Sequence, residues 1–252
     1  MALISLLLLA ALLPYLSHSA SVNVGIINGT EAKPHSRPYM VSVQKYGSHV
    51  CGGFLVSEEF VMTAAHCREN EETLTAVLGA HDLSNKQEKG SVHMEVESYY
   101  HHPNYNADTV DNDILLLKLR GRVKMGPTIS RISIPQRDVD VPANTVCIAA
   151  GWGQTGTIKP GSNCLMETKL RIVGYEQCKA LWKQHLSPVK MCAVHPGGVC
   201  MGDSGGPLVC GNTAVGIASF VQKWMCDKPT LPNVFAKISA FLPWIKSVIG
   251  NV

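Results

Sequence analysis

No stretch of this 252-residue chain holds the roughly 20 consecutive apolar residues that a membrane-crossing helix needs. The apolar run Leu6–Leu13 is far too short, and nothing later in the chain is longer, so no membrane span is expected. Charge of one sign is also scarce. With 22 Lys and Arg against 19 Asp and Glu, the formal surplus of +3 gives no case for nucleic acid and fits weak attraction to acidic polymers at most. Aromatic residues make up 6% and charged residues 16%, whereas glycine and proline number 22 and 14. That balance argues against a helical bundle and for many short strands joined by turns. Length suits one large β domain or two small ones sharing an interface. No internal repeat or low-complexity tract is present.

What is present begins with Leu6–Leu13 itself, followed by Pro14 and small polar residues. This reads as a cleaved secretory signal, although Met1–Ser5 lacks the usual Lys or Arg. Small residues at Ser17 and Ser19, or at Ser19 and Ser21, suit the cleaving enzyme, which puts the signal at about residues 1–20. Export makes the nine cysteines legible as disulfides. Eight cysteines pair in on the order of a hundred ways, and omitting any one of nine multiplies that further, so spacing alone leaves the connectivity open. The odd count leaves one thiol free or intermolecular.

Strand-length apolar or alternating segments recur: "YMVSV", "HVCGGFLVS", "FVMTAAHC", "TAVLG", "DILLLKL", "TVCIAAGWG", "TKLRIV", "PLVC" and "TAVGIASF". Gly211-Asn212 between the last two is a two-residue hairpin signal. Residues 120–145, with Pro127, Pro135 and Pro142, read as a connector between two β units. Only the tail "SAFLPWIKSVIG" looks helical, with Ser239 as a candidate N-cap and Pro243 in its first turn. The pattern predicts an all-β protein of two antiparallel barrels and a closing C-terminal α-helix.

Ser204 stands in "GDSGGPL", a serine among glycines. A nucleophilic hydroxyl needs an exposed tight turn and backbone N–H groups aimed at the oxyanion that its attack creates. It also needs a base, and the base an orienting partner. His66 in "VMTAAHC" has small residues before it and a cysteine after it that can staple its loop. Asp113 in "DNDILLLKL" opens an apolar strand, where a carboxylate needs a partner; Asp111 competes for the same role. Each residue alone has a bland structural reading. Together, the order His, Asp, Ser matches a known triad arrangement.

From Ile26 onward the sequence resembles the chymotrypsin-like serine peptidases, through "IINGTEA", "CGGFLVS", "TAAHC", "DNDILLLKL", "AGWGQT", "GDSGGPLVC" and "PNVFAKI" in order. "EAKPHSRPYM" is similar to the granule proteases of leukocytes and mast cells. The resemblance implies two six-stranded barrels in one peptidase domain, residues 26–252, behind a short activation segment at 21–25. It implies His66 as general base, Asp113 as its orienting carboxylate, Ser204 as nucleophile, and the amides of Gly202 and Ser204 as the oxyanion hole. It implies contact with substrate by Gly198, Val199, Met201, Ser219, Phe220, Val221 and Asn233, the strand 219–221 pairing with the substrate backbone. It pairs Cys51 with Cys67, Cys147 with Cys210, Cys178 with Cys192 and Cys200 with Cys226, leaving Cys164 over, because Ala32 stands where its usual partner would be. Ala80 replaces the glutamate that opens the family's calcium loop, so no metal or cofactor is expected. The sequon Asn28-Gly29-Thr30 lies so close to an end that must insert into the protein that occupancy is not expected.

In the family, a new ammonium, here on Ile26, pairs with Asp203. Gly25 precedes Ile26, so trypsin-like activation is not expected; signal cleavage after Ser19 or Ser21 leaves an even number of residues, which suits stepwise dipeptide removal. Gly198 falls where trypsin-like members keep an aspartate, while Val199 and Val221 narrow the pocket, as in neutrophil elastase and proteinase 3. The expected activity is that of a monomeric, secreted or granule-stored endopeptidase that cuts after small or medium aliphatic residues and is open to serpin-type inhibitors and acidic proteoglycan. Trypsin- or chymotrypsin-like specificity and a non-catalytic granule binding protein are the alternatives; the intact triad separates the last.

Overall fold

The computed structural model describes residues 26–68, 70–194 and 197–250. The expected signal and the segment 21–25 lie outside the described residues. A two-residue strand, β1 (Thr30–Glu31), precedes the first barrel, which consists of β2 (Met40–Lys45), β3 (Ser48–Leu55), β4 (Phe60–Thr63), β5 (Leu74–Leu78), β6 (Val92–His101) and β7 (Leu115–Leu119). It closes in the order β2-β3-β4-β7-β6-β5, entirely antiparallel. The second barrel contains β8 (Val146–Gly151), β9 (Met166–Val173), β10 (Lys190–Val194), β11 (Pro207–Cys210), β12 (Thr213–Phe220) and β13 (Asn233–Lys237). Its sheet runs β9-β10-β13-β12-β11-β8 and closes through pairing of β8 with β9, while β1 adds to β9 beside Met166 and Glu167. Closure leaves no long edge open to pairing with another chain.

Every apolar run singled out in the sequence contains a strand. The Gly211-Asn212 hairpin is formed as well, with Cys210 opposite Thr213 and Gly211 at φ 61°. Between Leu119 and Val146 the chain crosses to the second barrel without a strand of its own, pinned by burial of Val123, Ile129, Ile132 and Ile134.

Two expectations about helices are corrected. A helix, α1 (Tyr175–Trp182), lies before β10. Its sequence gives little helical signal because Cys178 is its only buried residue, and the Cys178–Cys192 disulfide ties it to the barrel instead of an apolar face. The tail helix α2 (Leu242–Ile249) begins later than expected, with Phe241 rather than Ser239 at its N-cap and Pro243 in the first turn. Ser239 sits in the preceding 3₁₀ turn and donates to Asp138 Oδ1 at 2.8 Å. Eight residues are too few for a helix to persist on propensity. Buried Leu242 and Ile245 hold it, at roughly 1.5–3 kcal/mol each.

One core cluster joins the barrels. It contains the inward residues of β2–β5 and β7 together with Val209, Ala214, Ile217 and Ala236 of the second barrel and Phe241, Leu242 and Ile245 of the tail. The seam between the barrels carries the site.

Candidate active site

His66 lies in a 3₁₀ turn, Ala65–Arg68, directly after β4. The flanking Ala65 and Cys67 are buried, and the Cys51–Cys67 disulfide fixes the turn to β3. Asp113, 1% exposed, precedes β7 and grips this turn twice: its Oδ1 accepts from the His66 amide at 3.0 Å and its Oδ2 lies 2.8 Å from His66 Nδ1. Ser219 of β12 donates its hydroxyl to the same Oδ2 at 2.5 Å, a contact that crosses the barrel seam. Burial pushes the Asp113 carboxyl up, but the nearby His66 charge and the hydrogen bonds from His66 and Ser219 outweigh it and hold it below the usual carboxylate range. A carboxylate only accepts, so Nδ1 carries a ring hydrogen, and in the neutral ring Nε2 is the nitrogen with the lone pair.

Asp111 does not compete with Asp113. Its Oδ1 pairs with the buried ammonium of Lys190 at 2.8 Å and accepts from Ser187 Oγ at 2.6 Å. Lys190 Nζ also donates to the carbonyls of Thr109 and His185. The intervening Val110 adopts φ 52°, a region that a β-branched residue rarely occupies, and lines the same cavity as His66.

Ser204 occupies a tight turn of the second barrel. The Asp203 amide donates to Cys200 O, the Gly206 amide to Asp203 O, and the Ser204 carbonyl accepts from the Gly52 amide of β3 at 2.8 Å. Gly205 has φ 81°, and a Cβ there would lie 2.1 Å from Thr63 Oγ1 and 2.4 Å from Gly52 O. No side chain fits between the serine and the first barrel. Among the described residues, neither the Gly202 nor the Ser204 amide has an intramolecular acceptor. The Gly202 carbonyl is held from behind by His49 Nε2 at 3.0 Å, whose Nδ1 meets Ser42 Oγ at 2.8 Å. Because a carbonyl only accepts, Nε2 donates and Nδ1 accepts. Burial pushes the His49 pKa down, which suits that neutral ring.

Asp203 is fully buried. Its two oxygens accept from the Gly153 and Cys200 amides at 2.8 and 2.9 Å, yet burial pushes its pKa up to about 7. Ile26 is also fully buried, and Ile27 exchanges backbone hydrogen bonds with Gly198, five residues before Asp203.

His66 and Ser204 line one cavity of about 520 Å³. Of the residues expected to touch substrate, Val199, Met201, Ser219, Phe220 and Val221 line it too. Gly198 and Asn233 do not. Asn233 is buried, its Oδ1 accepts from the Val199 amide at 3.2 Å, and a Cβ on Gly198 would lie 2.0 Å from that oxygen. Asn233 therefore fills the space into which a side chain at position 198 would project. The Cys200–Cys226 disulfide forms part of the wall. Sequence reasoning missed Val110, Thr157, Lys223 and Trp224 in the lining. The proximity of "KWMC" to a wall cysteine was the available signal for the last two.

All four expected disulfides are present, and Cys164 is free and half-buried. The Ala32 amide donates to Leu165 O at 2.9 Å, so the position that lacks a partner sulfur is indeed its neighbour.

A paired imidazole and carboxylate on one barrel face a serine turn on the other, and the chain matches the trypsin family model over residues 26–245. It belongs to that family. It is 41% identical to rat (Rattus norvegicus) granzyme B over 232 residues, 89% of this chain and 91% of the relative. It is 41% identical to mast cell protease 3 of Ovis aries over 227 residues, 88% of each, and 40% identical to human (Homo sapiens) serine protease 57 over 247 residues, 95% of this chain and 87% of the relative. The protein is a serine endopeptidase whose substrates are peptides or proteins. No helix among the described residues is long and apolar enough to cross a membrane.

Proposed function

We propose that Ser204 is the nucleophile of this peptidase, with His66 as its base and Asp113 as the residue that orients the base. In the neutral ring, His66 Nε2 takes the hydroxyl proton as Ser204 Oγ bonds to the scissile carbonyl carbon. The carbonyl electrons move to its oxygen, and the amides of Gly202 and Ser204 donate hydrogen bonds to that oxyanion. The imidazolium then gives the proton to the leaving amine as the C–N bond breaks. Water, deprotonated by His66 in turn, hydrolyses the acyl-enzyme. Asp113, kept ionised by its partners, stabilises the imidazolium at neutral pH.

The primary specificity is for small or medium aliphatic side chains. The observation that carries this is the lining of the cavity: Val199, Val221, Ala218 and a disulfide, with no carboxylate among the lining residues. An arginine or lysine entering it would lose water without gaining an anion, at several kcal/mol. Each methylene alters binding by only about 1–3 kcal/mol, so the preference is graded. Cleavage of a peptide library varied at the residue before the scissile bond is the test. Val, Ala and, more weakly, Leu or Met should lead, and Val221→Gly should shift cleavage toward Phe and Tyr. Efficient wild-type cleavage after Arg or Phe, with Val and Ala ignored, overturns the reading.

Activation uses a new N-terminus at Ile26, whose ammonium neutralises Asp203. Four disulfides in a chain of this size fit an oxidising, secretory compartment, with storage in granules or release outside the cell.

A further inference from the structure

We infer that Glu31, His81 and Cys164 form a binding site for a zinc-class divalent cation, remote from the catalytic cavity. The three residues come from separate parts of the chain: β1, the loop after β5, and the lead-in to β9. One donor atom from each lies within 4.8 Å of the others. Carboxylate, imidazole and thiolate together form a ligand set that suits zinc or cadmium and poorly suits calcium or magnesium. The absent calcium glutamate at position 80 is therefore beside the point.

His81 gives the independent observation. It is 7% exposed, its Nε2 lies 2.9 Å from Glu31 Oε1, and its Nδ1 is buried without a hydrogen-bond partner. Buried ring nitrogens nearly always have partners, so an uncommitted one on a histidine of this cluster calls for a ligand.

Backbone contacts hold the donors in place before any ion arrives. The His81 carbonyl accepts from Trp152 Nε1 at 3.0 Å and from the Leu165 amide at 2.9 Å. Glu88 Oε2 accepts from the His81 and Asp82 amides at 2.7 and 3.0 Å, and Asp82 bridges Cys164. Glu31 is partly exposed and leaves a path from solvent. On binding, the thiol proton leaves to solvent and a sulfur–metal bond forms, with water completing the coordination. The ion would then tie a loop of the first barrel to β1 and β9 of the second.

The test is titration of the disulfide-intact peptidase with cadmium chloride, followed by the ultraviolet sulfur-to-cadmium charge-transfer band. Nine cysteines less the eight in four disulfides leave Cys164 as the only thiol that can give that band. One equivalent should saturate it, and zinc chloride should compete and raise Tm. Cys164→Ser should abolish the band and the zinc-dependent rise. His81→Gln and, at the more exposed position, Glu31→Gln should each weaken binding at least tenfold. No band, a Tm rise that survives Cys164→Ser, or undiminished binding in both other variants would overturn the site.

Discussion

Replacing Ser204 with alanine is expected to lower kcat for peptide hydrolysis about 10,000-fold or more, leaving only what binding and the oxyanion amides supply. The variant should fold as the parent does, because no hydrogen bond of the described structure uses the serine hydroxyl; the turn is built from backbone contacts, including Gly52 N to Ser204 O. Wild-type protein should be labelled by phosphonate or sulfonyl fluoride reagents, and the alanine variant should not. Full labelling of the variant would remove Ser204 from the mechanism. His66→Ala should cost nearly as much in rate, and the double variant little more, since the two residues act on one proton.

The second large effect concerns Asp203. In the full chain the Ile26 nitrogen is a peptide amide and carries no charge. Burial places the Asp203 titration near 7, against 3.8 for the free side chain. A carboxyl raised in this way leaves stability intact below about pH 4 and removes it as pH rises through 7. Roughly three pH units at about 1.4 kcal/mol each give about 4 kcal/mol. A protein beginning at Ile26 presents an ammonium, which should hold Asp203 ionised and restore that stability. The two forms should therefore have similar denaturation midpoints near pH 4 and diverge by pH 7.5, and Asp203→Asn should flatten the pH dependence of the full chain. Protein retaining Gly25 should be inactive. A midpoint difference that does not change with pH, or active material with Val24 or Gly25 still attached, would contradict this account.

The parts of the fold legible in the sequence are those in which burial and periodicity agree. β7 and β12 are nearly continuous apolar runs because both of their surroundings are protein, and each is visible by eye. β6 is not. Of its ten residues only Val96 is buried, and a register shift between Val96 and Ser98 breaks the alternation that would have marked it. β13 is buried in four of its five residues but is short and follows a proline-containing loop, so "NVFAK" alone does not announce a strand. At the site, the motifs located His66, Asp113 and Ser204, but not the role of Ser219 as a donor to Asp113, since the two are 106 residues apart. Nor could the sequence decide which way Asn233 points. Its oxygen is committed to the Val199 amide, a fact of packing rather than of composition.

The seam between the barrels has a kinetic consequence. In the mechanism proposed above, the base His66 and its partner Asp113 sit on the first barrel and the nucleophile Ser204 on the second, so the distance between reacting atoms reports how the two barrels are docked. A slip of about 1 Å along the seam can cost about a hundredfold in rate while both barrels remain intact. Turnover should thus fail at denaturant concentrations below those at which either barrel loses its far-ultraviolet signal. Such dormant molecules should regain turnover at once on dilution, because only docking, and no strand, has to be rebuilt.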